Sequence, residues 1–190
     1  LRNPRKNFKK TKGAGMIVNL NAHDLIMAAH HAGVIEGVKA TQLNHGQVNN
    51  NRISNQSDFA IHYAGMLGEV AVSKALFIPI KTEITIGGDG NVDMTHHGQT
   101  IQIKTSTHPY VQGDRYLIFN RREDFSTDWA VLCSIQSPAV VKIHGFISQK
   151  KFLLNAEQSD FGYGMRCVVA EKHLTNIERF HEAVSHAKLP

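Results

Sequence analysis

Apolar residues recur at helical spacing in two early stretches. Residues 19–37 place Leu25, Ile26, Ala29 and Gly33 three or four apart, with Asn21 set to cap the first turn. Residues 58–77 carry the stronger pattern. Phe59, Tyr63, Met66, Leu67, Val70, Ala71, Ala75 and Leu76 form one apolar stripe, Ser57 or Asp58 can cap it, and Pro79 follows its end. Residues 38–57 between them are rich in Asn, Gln and Ser and read as a loop-rich connection able to move or touch a ligand.

After residue 80 the period changes to two. Residues 81–87, 91–95 and 99–105 alternate, separated by Gly87-Gly88-Asp89-Gly90 and by His96-His97-Gly98. This spacing predicts a three-strand antiparallel meander. Residues 115–120, 129–135, 139–147 and 166–170 read as further strands, 148–155 as a short helix, and 106–114 as a loop. Leu174, Ile177, Phe180 and Val184 predict a closing helix over 171–186. The order of elements indicates an α/β or α+β fold around a central mixed sheet flanked by helices.

Composition narrows the function classes less than the charge suggests. The 190 residues carry 21 Lys and Arg against 16 Asp and Glu, a formal net charge of +5 that invites a nucleic-acid reading. Six of the basic residues (Arg2, Arg5, Lys6, Lys9, Lys10 and Lys12) lie within residues 1–15, which hold no acid. Residues 16–190 keep 15 basic residues against 16 acidic ones. The arm reads either as a native nucleic-acid tail or as a segment fused ahead of a start at Met16, with Gly13-Ala14-Gly15 as a flexible joint. The expected organisation is therefore a basic arm at 1–15, a helical and loop extension at 16–57 and a core domain at 58–190. No apolar run is long enough for a membrane span, and no apolar stretch follows the basic start as in a secretory signal. Cys133 and Cys167 sit in apolar runs and read as buried thiols of a reducing compartment, so a cytoplasmic, intracellular setting is expected.

The chemistry gathers in the meander. Gln102 and Lys104 are two apart and share one strand face, while Ile101, Ile103 and Thr105 face the other way. Asp93 lies across the hairpin from Gln102, and Glu69 follows Gly68 in the strong helix. Asp and Glu carboxylates, an amide oxygen and the Ile103 carbonyl are the hard oxygen ligands that Mg²⁺ takes. Lys104 can orient a water or stabilise charge on an attacked phosphate.

Glu69 on a helix, then Asp93, then Gln102-Ile103-Lys104 resembles the PD-(D/E)xK nuclease superfamily and its restriction-endonuclease-like fold. Asp128-Trp129-Ala130-Val131-Leu132 is similar to a later core strand of such enzymes. Two positions depart from the pattern: Val92 stands where a proline is frequent, and Gln102 where an acid is usual. The resemblance implies a Mg²⁺- or Mn²⁺-dependent nuclease acting on DNA, with metal held by Glu69, Asp93, Gln102 and Ile103. Glu69, Asp93, Gln102 and Lys104 are then the catalytic residues, and Lys104 positions the water. Thr105, Ser106, His108 and Arg115 are candidate contacts to DNA phosphates, and homodimers are frequent among such folds. Because an amide binds metal less tightly than a carboxylate, Gln102 also keeps open a second reading. That reading is an inert nuclease-fold module that binds nucleic acid or a protein partner. A histidine-based metal site is a weaker third. His30 and His31 are adjacent on a helix and diverge, and His96-His97 lie in the hairpin turn.

Overall fold

A computed structural model of the chain describes residues 15–41, 57–81, 91–107, 115–162 and 164–187. The expected strand over 81–87 and residue His108 lie outside the described residues apart from Lys81, as do the basic arm up to Ala14 and most of the 38–57 connection.

The main sheet has five strands in the order β1-β6-β5-β3-β2. They are β1 (Met16–Asn19), β2 (Met94–His96), β3 (Gln99–Ser106), β5 (Trp129–Ser137) and β6 (Val140–Ser148). β3 and β5 run parallel, and the other neighbours are antiparallel. The expected hairpin between residues 91 and 105 is present as β2 and β3, with Met94 opposite Ile101 and His96 opposite Gln99. A second, three-strand sheet joins β4 (Tyr116–Phe119), β8 (Met165–Ala170) and β7 (Glu157–Asp160).

The helices follow from capping and stripe. Asn21 and Asp24 exchange side chain-to-backbone hydrogen bonds of 2.8 and 2.9 Å at the start of α1 (Ala22–Thr41). The Ser57 hydroxyl accepts from the Ala60 N–H at 3.2 Å at the start of α2 (Asp58–Leu76), and Phe77 ends it in the left-handed conformation. Asp24 also takes the Lys74 ammonium at 2.6 Å, tying the two helices together. α2 buries Met66, Leu67, Val70 and Ala71 with Ile101, Ile103, Val131 and Ile143 on one face of the main sheet, and α1 packs on α2. The segment expected as an extension thus supplies a sheet strand and an outer helix of this layer.

The opposite sheet face meets the second sheet. Leu117, Phe119, Phe125, Ala130, Leu132, Ile147, Cys167 and Val169 form that core with Phe152 from α3 (Gln149–Asn155). Phe119 stacks on Phe125 with ring centres 4.8 Å apart, and Phe152 meets both edge-on. Asp128 fixes where β5 begins: its carboxylate accepts from the Thr100 N–H at 2.7 Å and the Thr100 hydroxyl at 2.8 Å.

Two expectations are corrected. The first helix starts at Ala22, because residues 16–19 pair with β6 as β1. The closing helix over 171–186 is broken into two 3-10 turns, Glu171–His173 and Ile177–Arg179, before α4 (Phe180–His186). The break is Thr175, which exchanges backbone hydrogen bonds of 2.9 and 2.8 Å with Phe146. Gly145 permits this approach: its φ is +152°, and a Cβ there would meet the Thr175 carbonyl oxygen at 2.5 Å. Leu174 consequently packs on the second core, whereas Ile177, Phe180 and Val184 enter the first. One apparent stripe serves two cores.

Among the described residues, no helix is long and apolar enough to cross a membrane. Both cysteines are buried free thiols, and burial pushes the Cys133 thiol well above its ordinary range.

Candidate metal-assisted site on strand β3

The two faces of β3 differ as the alternation predicts. Ile101 and Ile103 are buried against α2, with Thr105 on the same side. Gly68 of α2 presses on Thr105 so closely that a Cβ there would lie 1.9 Å from the Thr105 hydroxyl oxygen. That hydroxyl is buried and makes no hydrogen bond. Glu69 is the next helix residue and is half-buried.

Gln102 and Lys104 project from the other face. Gln102 is 3% exposed, and its side-chain carbonyl oxygen is buried without a hydrogen-bond partner. An orphaned buried acceptor costs about 1–3 kcal/mol of desolvation, so it needs a reason. Lys104 rises over the Phe119 ring, with Nζ 5.2 Å from the ring centre. Its burial lowers its pKa from the ordinary value, while the negative charges of Asp93 and Asp124 act to raise it.

Asp93 sits immediately before β2. Its N–H donates to the Ile101 carbonyl at 3.0 Å, and its carboxylate accepts the Ile103 N–H at 2.5 Å. The N–H and C=O of one strand residue point to the same side, so the Ile103 carbonyl also faces the Asp93 side of β3. Asp93, Gln102, Ile103 and Lys104 are thus gathered on one strand and its hairpin partner, with Glu69 beyond the strand on α2.

These groups suit a hard cation. A carboxylate, an amide oxygen without a partner and a strand carbonyl are the donor types that hold Mg²⁺ or Mn²⁺ together with waters. They do not form a closed protein cage: among the described residues, no three His, Cys, Asp or Glu side chains group so as to hold a metal ion.

The expected phosphate contacts are dispersed. The Thr105 hydroxyl is buried under Gly68, and Ser106 is half-buried at the end of β3. Arg115 is 8% exposed; burial lowers its pKa and the Glu171 charge acts to raise it.

A second polar group on the same sheet face was not foreseen. Ser134 pairs in register with Ser106 of β3, and its hydroxyl oxygen lies 2.7 Å from His144 Nε2 and 2.6 Å from the donating Gln136 amide. On the other side of the ring, His144 Nδ1 lies 2.9 Å from the Glu171 carboxylate. The distance is a hydrogen bond's but the angle is not, so Nδ1 is left without a hydrogen bond. Burial lowers the His144 pKa most; Glu171 opposes this, and the charges of Lys142 and Arg115 reinforce it. Ser134 is fully buried, so this end of the group lies in the interior, while Glu171 borders solvent. The members come from β5, β6 and the turn after β8, and no sequence spacing connects them.

No protein-family model matches the chain, and no curated protein matches it.

Proposed function

We propose that the protein is a Mg²⁺- or Mn²⁺-dependent nuclease that hydrolyses DNA phosphodiester bonds at the Asp93–Gln102–Lys104 face of β3. The observation that carries this reading is the tie of the Asp93 carboxylate to the Ile103 N–H at 2.5 Å. It sets a carboxylate beside a strand whose flanking side chains are an orphaned amide oxygen and a partly buried lysine.

The bound cation would supply Lewis-acid stabilisation of the charge that develops on the attacked phosphate. Asp93, Gln102 and the Ile103 carbonyl would hold it; α2, which carries Glu69, packs on the opposite face of β3. The Ile103 N–H holds the Asp93 carboxylate in place before substrate arrives. The Lys104 ammonium, which burial brings closer to deprotonation, orients the attacking water and moves a proton at Nζ. Phe119 beneath it excludes water from one side of the ammonium.

Gln102 favours a second reading in which the fold binds nucleic acid or a protein without cutting it, because its amide replaces a charged ligand. One assay separates the two. The chain without residues 1–15 is incubated with circular and linear DNA in Mg²⁺ or Mn²⁺, beside Lys104→Ala and Asp93→Asn. Metal-dependent cleavage lost in both variants supports the nuclease. Equal cleavage in all three proteins, or none in any, rejects it.

A further inference from the structure

A second metal-ligating geometry lies away from β3, where the β2 end meets α4. His96 closes β2, and His181 is the second residue of α4, 85 positions later in the chain. Their ring nitrogens, His96 Nε2 and His181 Nδ1, face each other at 3.1 Å. Phe180 packs beside His96 at 6.4 Å between ring centres and is itself fully buried in the first core, so both backbones are held by packing. The His97 ring lies 4.1 Å from that of His96, tilted by 53°, and borders the pair.

Two imidazoles facing at this distance either share a proton or share an ion. The rings meet at an angle rather than head-on, a geometry open to both. Rings meeting head-on across the observed 3.1 Å would hold their centres about 5.4 Å apart, whereas lone pairs converging on an ion about 2.0–2.1 Å from each nitrogen place them about 4.8 Å apart. The observed separation is 5.0 Å with the planes at 69°, nearer the converging arrangement. At 3.1 Å, the two nitrogens would subtend an angle of about 100° at such an ion, within reach of tetrahedral or square-planar coordination.

We infer that His96 and His181 form a two-imidazole site for a borderline transition-metal ion of the Zn²⁺, Ni²⁺ or Cu²⁺ class. Imidazole selects these ions over Mg²⁺, so the site is chemically separate from the oxygen ligands around Asp93 and does not depend on the nuclease reading. Among the described residues, no third His, Cys, Asp or Glu completes a metal-holding group, so water fills the remaining positions. The ion clamps α4 to the β2–β3 hairpin, three residues from Asp93.

The test uses the full chain. Zn²⁺ is titrated while histidine ring resonances are followed, and thermal unfolding is recorded with and without the ion. The site predicts that one Zn²⁺ shifts the rings of His96 and His181 before those of the other ten histidines. It also predicts that Zn²⁺ at a hundred times its dissociation constant raises Tm by about 5–10 °C. His96→Gln and His181→Gln each abolish that rise, while His97→Gln keeps it. In Cu²⁺-loaded protein, the spin-resonance signal shows two imidazole nitrogens, reduced to one in either variant. First saturation at His30 and His31, or a Tm rise that survives both His96→Gln and His181→Gln, overturns the inference. The ring shifts in the unsubstituted chain decide the matter even where a variant fails to fold.

Discussion

The two faces of the main sheet are built on opposite principles. On the helical face, Ile101, Ile103, Val131 and Ile143 meet α2 in an apolar layer, and even Thr105 is packed without a partner for its hydroxyl. On the other face, the aromatic cluster of Phe119, Phe125 and Phe152 is bordered by Gln102, Lys104, Ser134 and His144. Burial of apolar surface stabilises a fold without specifying any chemistry. Polar groups in a sheet interior cost free energy unless they are paired, so an unpaired one calls for a reason. The Ser134 hydroxyl is paired with His144 Nε2, and His144 Nδ1 lies 2.9 Å from Glu171, whereas the Gln102 carbonyl oxygen has no hydrogen-bond partner. On the proposed nuclease reading, the helical face supplies stability and the polar edge of the other supplies the chemistry.

The largest expected effect is on that polar edge. Lys104→Ala should lower metal-dependent DNA cleavage by about 10²–10⁴-fold, measured as initial rates on a linear duplex, with a Tm within a few degrees of the parent. A Tm collapse in parallel with activity would assign Lys104 to the fold instead.

On the helical face, the effect should be the reverse. Gly68→Ala drives a methyl into Thr105 and should destabilise by about 1–3 kcal/mol in urea unfolding. Adding Thr105→Ala removes the hydroxyl it strikes and should recover part of the loss. Additive losses in the double variant would show that the close approach is not the cause.

A smaller effect concerns the Ser134–His144–Glu171 group. Burial lowers the His144 pKa in the fold, opposed by Glu171 and reinforced by the Lys142 and Arg115 charges. Its folded pKa is lowered, so on acidification the unfolded chain takes up the proton first, near its ordinary value of about 6.5. The stabilisation is complete above that pH and declines as pH falls from there toward the lower folded value. Urea unfolding between pH 7.5 and 5.5 should show this decline, and His144→Gln should flatten it. An unchanged slope in the variant would place the acid sensitivity elsewhere.

Much of the candidate site was legible in the sequence because a strand has a period of two. The alternation from Ile101 to Thr105 assigned Gln102 and Lys104 to one face, and the hairpin signal at His96-His97-Gly98 brought Asp93 to β3. Helix α2 was legible from its stripe and its Ser57 cap. Three features were hidden. β7 (Glu157–Asp160) has no apolar alternation, because it is a polar strand at the margin of the second sheet. The closing segment mimicked one helix because residues buried in two cores fell at helical spacing. The Ser134–His144–Glu171 network and the His96–His181 pair join residues brought together by sheet register and by the docking of α4, which no local pattern encodes.

The most direct test of the central claim is Gln102→Leu, with unfolding free energy and Mn²⁺-dependent cleavage measured on the same preparation. Removing a buried acceptor that has no partner should leave stability unchanged or raise it by about 1 kcal/mol. If that oxygen serves a bound cation, the same substitution should reduce cleavage at least tenfold. Cleavage at the parent rate in a protein as stable as the parent would contradict the assignment of the polar face of β3 to function.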